Sequence, residues 1–296
     1  PACAAQACLD GGHVRELQFR APSPPAAEPP RYRQVSIGRP AVAVSEEQGV
    51  LHMRSLEPLA PLPQRLLDRL LHWARVRPEQ TFIAAREDGG DWRRVSYGQM
   101  LDSVRAIAQG LLGYGLSADK PLALLSGNDI EHLQLALGAM YAGIPYCPVS
   151  PAYSLLSQDF AKLRHVCDLL QPGLVFVSDA GAYQRAIDAV LPPETPLICV
   201  RGQVPGRRQA SFASLLAEPG AAEADAAFAA TGPDSIAKFL FTSGSTKLPK
   251  AVITTQRMLC ANQQMLLQTF PVFGEEPPVL VDWLPWNHTF GGSHNV

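Results

Sequence analysis

From residue 62 onward, short apolar runs that read as strands alternate with segments whose apolar residues recur at helical spacing. This alternation constrains the chain to an α/β fold with largely parallel sheets, because each helix returns the chain to the same sheet. The spacing predicts helices over residues 62–77, 97–114, from Asn128 or Asp129 to Tyr141, 158–170, 182–190 and 256–269. It predicts strands over 81–85, 93–96, 121–125, 146–149, 174–177, 197–200, 236–241, 252–255 and 279–283. Stop signals agree with the helices: Pro78 ends the first, Gly115 the second, and Gly143 with Pro145 the third. Sheets of this kind bind ligands beyond the carboxyl ends of their strands.

Composition narrows the function classes. The 296 residues are 47% hydrophobic with a formal net charge of −2, which excludes a wholly disordered chain and gives no basic excess for a nucleic-acid partner. No apolar run approaches the ~18–20 residues that cross a bilayer, and no secretory leader is visible. The cysteines (Cys3, Cys8, Cys147, Cys167, Cys199 and Cys260) form no C-x-x-C pair, so they read as free thiols of a cytoplasmic protein. No metal-ligating set stands out. Residues 1–34 read as a flexible Pro/Ala-rich tail, with Pro22, Pro24, Pro25, Pro29 and Pro30 clustered. Compact structure is expected over 35–296, with a surface connection near 218–234 whose alanines could also form a short helix.

The chemistry concentrates in Phe239 to Val252, which reads FLFTSGSTKLPKAV. A buried strand runs into Thr242, Ser243, Gly244, Ser245 and Thr246, then Lys247 and Lys250 around Pro249, then a second strand. Only five of the 25 basic residues are lysines, so two of them three positions apart stand out. Hydroxyls and backbone N–H groups can surround phosphate oxygens, glycine lets the backbone approach, and lysine supplies a point charge. The alternative is a Ser/Thr-rich hairpin turn. A P-loop fits poorly, because that motif opens a helix and here a strand follows. A Gly-x-Ser-x-Gly nucleophile elbow is absent as well.

This stretch resembles the phosphate-binding signature of the adenylate-forming superfamily: two hydroxyl residues, Gly, a hydroxyl residue, Thr, Gly, any residue, Pro, Lys, Gly. Acyl-CoA synthetases, luciferases and peptide-synthetase adenylation domains belong to it. Thr242, Ser243, Gly244, Ser245, Thr246, Pro249 and Lys250 match, while Lys247 and Ala251 stand where Gly is usual. A second stretch, Val281-Asp282-Trp283-Leu284-Pro285-Trp286-Asn287-His288-Thr289-Phe290-Gly291-Gly292, resembles the next signature of that family. Together with Ile253-Thr254-Thr255-Gln256, these segments look like the feruloyl-CoA synthase subgroup, in which Lys247 is an expected variant.

The resemblance implies the N-terminal part of a large adenylation domain, with layered sheets flanked by helices and the small C-terminal domain absent. It implies an ATP-dependent acid–thiol ligase. A carboxylate such as ferulate attacks the α-phosphate of Mg2+-bound ATP, giving an acyl-adenylate and pyrophosphate, and coenzyme A then displaces AMP. Thr242 to Thr246 would hold the β/γ-phosphates, and Lys250 would neutralise the departing pyrophosphate. Lys247 is either a second charge or an exposed surface lysine. His288 would line the acyl pocket. Trp283, Trp286 and Phe290 would stack on a planar ring or else pack the sheet edge. As given, the chain is expected to be incomplete for the reaction. Two other readings stand beside this one: an adenylating ligase for another carboxylate, and a non-catalytic nucleotide-binding paralogue.

Overall fold

Leu122 and Leu124 face one side of the main sheet and Ala123 and Leu125 face the other, all of them buried. A parallel strand covered on both sides requires such an unbroken apolar run. The next strand repeats the split, with Leu174 and Phe176 in one core and Val175 and Val177 in the other. The alternation in the sequence thus yields an α/β sandwich, as expected, with a mostly parallel sheet between helices.

The computed structural model describes residues 4–10, 13–20, 32, 34–38, 41–86, 89–217, 221–242, 248–275 and 278–295. The chain divides into two units, Pro1–Ile37 and Gly38–Val296. In the first, β1 (Ala4–Asp10) pairs antiparallel with β2 (His13–Arg20). This hairpin lies inside the stretch read as a tail; the proline cluster of that stretch is outside the described residues.

The second unit begins with an exposed hairpin of β3 (Val42–Glu47) and β4 (Val50–Ser55). Then come α1 (Asp68–Val76), a second hairpin of β5 (Thr81–Arg86) and β6 (Trp92–Ser96), and α2 (Tyr97–Leu112). Ser96 caps α2 in a reciprocal box. Its hydroxyl accepts the Gln99 N–H, and the Gln99 side chain accepts the Ser96 N–H.

The sheet proper follows: β7 (Leu122–Leu125), α3 (Ile130–Tyr141), β8 (Tyr146–Pro148), α4 (Pro151–Leu155), α5 (Ala161–Leu170), β9 (Leu174–Asp179) and α6 (Ala180–Val190). It continues with β10 (Leu197–Arg201), β11 (Gln209–Ser211), α7 (Phe212–Leu216), α8 (Ala222–Ala230), β12 (Ile236–Thr242) and β13 (Lys250–Thr255). Helices α9 (Gln256–Thr269) and α10 (Val272–Glu275) come next, and Gly291–Asn295 forms a π-helical turn. The strand order is β11-β10-β9-β7-β8-β12-β13, parallel throughout except for the antiparallel β12–β13 edge. Residues of α1, α2, α3, α7, α8 and α9 fill one core, and residues of α5 and α6 fill the other.

The helices expected over 62–77 and 158–170 are shorter, Asp68–Val76 and Ala161–Leu170, and two further expectations differ from the structure. Residues 279–283 are irregular rather than a strand, with Val279 95% and Val281 93% exposed. No ladder partner lies beside them among the described residues, and Asp282 turns the backbone by accepting the Leu284 N–H at 3.1 Å. Within 218–234 the alanine run is the helix α8 and not merely a surface link. Ala224 and Phe228 are buried, Phe228 stacks on Tyr141 with centroids 4.4 Å apart, and the Arg65 guanidinium lies over the same ring at 4.0 Å. Asp225 accepts hydrogen bonds from both Arg105 and Tyr141, which ties α8 to α2 and α3.

Candidate active site

Thr242 ends β12 and Lys250 opens β13, and the two are register partners. The Thr242 hydroxyl lies 3.5 Å from the Lys250 carbonyl oxygen. The Lys250 side chain is exposed at this end of the sheet. Ser243, Gly244, Ser245, Thr246 and Lys247, expected to cradle phosphate, lie outside the described residues. What the structure fixes is the base of their loop. Its C-terminal side is held by α5, since the His165 ring contacts the Pro249 carbonyl oxygen at 2.9 Å and Pro249 is buried.

The second candidate segment sits over the same strand. Side chains alternate along β12, so Lys238, Leu240 and Thr242 share one face. Lys238 and Leu240 are buried there. Gly292 packs against them: the Lys238 ammonium donates to its carbonyl oxygen, and a Cβ on Gly292 would meet Leu240 Cδ2 at 3.5 Å. The turn carrying His288 therefore lies on the face of β12 that ends at Thr242.

His288 itself is exposed. Its Nδ1 accepts the Phe290 N–H at 3.3 Å, which leaves the hydrogen of the neutral ring on Nε2. Phe290 is 53% exposed and Trp283 81% exposed. Trp286 behaves differently from the ring-stacking expectation. It is buried in the core, edge-on to His132 with centroids 5.3 Å apart, and its Nε1–H donates to Asp282 at 2.9 Å. A groove of about 730 Å³ beside α1 is lined by Pro61, Asp68, His72 and Arg75, and by none of the candidate residues.

Two residues of this region lie outside the sequence motifs. Lys238 is 1% exposed, with its ammonium 5.9 Å from the Tyr146 ring centroid. Burial pushes its pKa down to about 8. A lone lysine in the apolar run Ile236 to Phe241 is the signal that could have marked it. Asn128, just past the end of β7, donates through Nδ2 to the Leu284 carbonyl at 2.8 Å and accepts the Trp286 N–H at 3.1 Å.

Cys147, Cys167, Cys199 and Cys260 are free thiols, and burial raises the pKa of each, so none is poised as a nucleophile. Among the described residues no three His, Cys, Asp or Glu side chains converge on a metal site, and no helix is long and apolar enough to cross a membrane.

The AMP-binding enzyme family matches over residues 70–296. A methyl-dioxo-octahydroindenyl-propanoyl:CoA ligase of Rhodococcus jostii is 28% identical over 221 residues, 70% of this chain and 42% of the relative. Luciferin 4-monooxygenase of Photinus pyralis is 24% identical over 205 residues, 67% of this chain and 36% of the relative. The chain thus spans less than half the length of these curated relatives. The fold is that of the L. pneumophila fatty acyl-adenylate ligase solved with acyl adenylate and pyrophosphate. There the TM-score is 0.58 at 21% identity, covering 77% of this chain and 36% of that one. By its match over residues 70–296, this chain belongs to the AMP-binding enzyme family.

Proposed function

We propose that the protein containing this chain activates a carboxylate with ATP and transfers the acyl group to coenzyme A. The observation that carries this reading is the shared face of β12: the phosphate-loop base at Thr242 and Lys250 and the His288 turn meet on one strand. The donor set fits a polyphosphate, since an exposed lysine and a threonine hydroxyl flank the run of hydroxyl residues at 243, 245 and 246. ATP enters as a substrate with its magnesium. Lys250 neutralises charge on the departing pyrophosphate while the hydroxyls and backbone N–H groups orient the phosphates.

The carboxylate of the proposal is a hydroxycinnamate such as ferulate. Support comes from the sequence motifs and from two exposed aromatic side chains, Trp283 and Phe290, on the segment that carries His288. Trp286 supports that segment from beneath and is not offered as a stacking wall. The Rhodococcus relative is named for a CoA ligation of a different, bicyclic propanoate.

The test is carboxylate-dependent pyrophosphate release by the complete protein, followed by detection of the CoA thioester. Ferulate, benzoate and octanoate form the panel. Release with ferulate above the other two supports the proposal. Release with octanoate or benzoate alone keeps the ligase and replaces its substrate. Nucleotide binding without release from any of them favours a non-catalytic paralogue.

A further inference from the structure

The turn that carries His288 is fastened at both ends by side chains from distant elements. At its start, the single amide of Asn128 pairs with two backbone groups, the Leu284 C=O and the Trp286 N–H, 156 and 158 positions along the chain. At its far end, Lys238 donates to the Gly292 carbonyl, and Asn262 of α9 donates to the Ser293 carbonyl at 2.8 Å.

Between these anchors the turn closes on itself. The His288 N–H donates to the Pro285 carbonyl at 3.0 Å, and the Gly292 N–H donates to the His288 carbonyl at 2.8 Å. The approach is so close that a Cβ on Gly291 would lie 2.5 Å from the Pro285 oxygen, and one on Gly292 would lie 2.3 Å from the Trp286 oxygen. A segment this tightly closed moves as a unit, so its anchors decide where His288 stands.

Asn128 lies three residues past the carboxyl end of β7, and ligands of such sheets bind beyond the carboxyl ends of the strands. It is solvent-exposed, so its two hydrogen bonds are not needed to keep a buried amide satisfied. We propose that Asn128 is a positioning residue for the acyl half of the site: its amide sets the placement of the His288 turn and thereby the affinity for the carboxylate. The role in affinity rests on the ligase reading above.

The test uses the complete protein and the best substrate among ferulate, benzoate and octanoate. Asn128→Ala should raise KM for the carboxylate by about fivefold or more while KM for ATP stays within about twofold. Amide hydrogen exchange at Trp286, whose N–H the side chain accepts, should speed up by roughly tenfold. Asn128→Asp keeps the acceptor and loses the donor to Leu284, so it should fall between wild type and Asn128→Ala in both readouts.

Three results overturn the proposal: unchanged exchange at Trp286, faster exchange with an unchanged carboxylate KM, or equal rises in both KM values. A wild-type protein that releases pyrophosphate with none of the three acids defeats the ligase reading and the affinity role with it. The exchange measurement then still reports separately whether Asn128 holds the turn.

Discussion

Ser126 Oγ and His132 Nδ1 share a hydrogen bond of 2.7 Å inside the core that supports the candidate site. His132 is 3% exposed, with the Trp286 ring against it edge-on. Burial, with a smaller push from the nearby Lys238 charge, lowers its pKa from 6.5 to about 4.

Between those two values the unfolded ring takes up a proton that the folded ring refuses. Stability should therefore fall as pH drops from about 6.5 to about 4, by up to ~1.4 kcal/mol per pH unit and about 3 kcal/mol in all. Asp179 and Asp225, whose carboxyls are held low mainly by hydrogen bonds, add to the loss near the acid end. His132→Phe should be less stable than wild type near pH 8, because Ser126 loses its partner, yet should lose less on acidification. Urea midpoints measured from about pH 8 to pH 4.5 decide it; parallel curves for the two proteins would contradict the assignment.

His165 donates from Nε2–H to the Pro249 carbonyl, since a carbonyl can only accept. The bond lies one residue before Lys250, at the exit of the proposed phosphate loop. Removing it in His165→Leu should raise KM for ATP about three- to tenfold, the worth of one hydrogen bond, with little change in KM for the carboxylate. His165→Gln can place its side-chain N–H near the same point and should recover most of the loss. Equal KM values for ATP in wild type and His165→Leu would show that the loop does not depend on α5.

Lys238 holds the Gly292 carbonyl at the cost of burying an ammonium. With a folded pKa of about 8 against 10.5 unfolded, the folded state gives up its proton first on the way up in pH. Stability should consequently rise from about pH 8 to pH 10.5. Lys238→Met should flatten that rise. Near pH 7 it should match or exceed wild type by roughly 1 kcal/mol, as relief of about 3 kcal/mol of desolvation is offset by a lost charged hydrogen bond. Turnover should fall, because the far end of the His288 turn comes loose. A loss of more than about 2 kcal/mol near pH 7 would mean that the ammonium stabilises the fold.

Local patterns in the sequence carried the architecture. Short unbroken apolar runs located β7 and β9, and helical spacing located α9 over Gln256–Thr269 as observed, where the Thr255 hydroxyl accepts the Met258 N–H. The site was legible only where its residues are contiguous. Asn128 reads as an ordinary helix-start residue, and nothing nearby shows that its partners are Leu284 and Trp286. Lys238 reads as a strand charge, because the turn that buries it arrives 54 residues later. The apolar residues 279–283 read as a strand because propensity cannot register that no neighbouring strand is in place among the described residues. Trp286 and Trp283 look alike in sequence. The Asp282 acceptor and the His132 ring beneath make one a core residue and leave the other exposed.

Under the proposed ligase reading, Lys250 bears most directly on chemistry. It stands exposed at the start of β13, in register with Thr242, on the far side of the hydroxyl-rich run. An ammonium there matters most when negative charge moves onto the departing pyrophosphate, so it should contribute more in the transition state than in the bound complex. Lys250→Ala in the complete protein should slow carboxylate-dependent pyrophosphate exchange at saturating ATP by at least about tenfold, or ~1.4 kcal/mol. Because the side chain is exposed, the melting temperature should hold. Lys250→Arg should recover only part of the rate, since a planar fork replaces a point charge. An unchanged exchange rate in Lys250→Ala would remove this lysine from the catalytic set and leave phosphate binding to the hydroxyls and backbone of the loop alone.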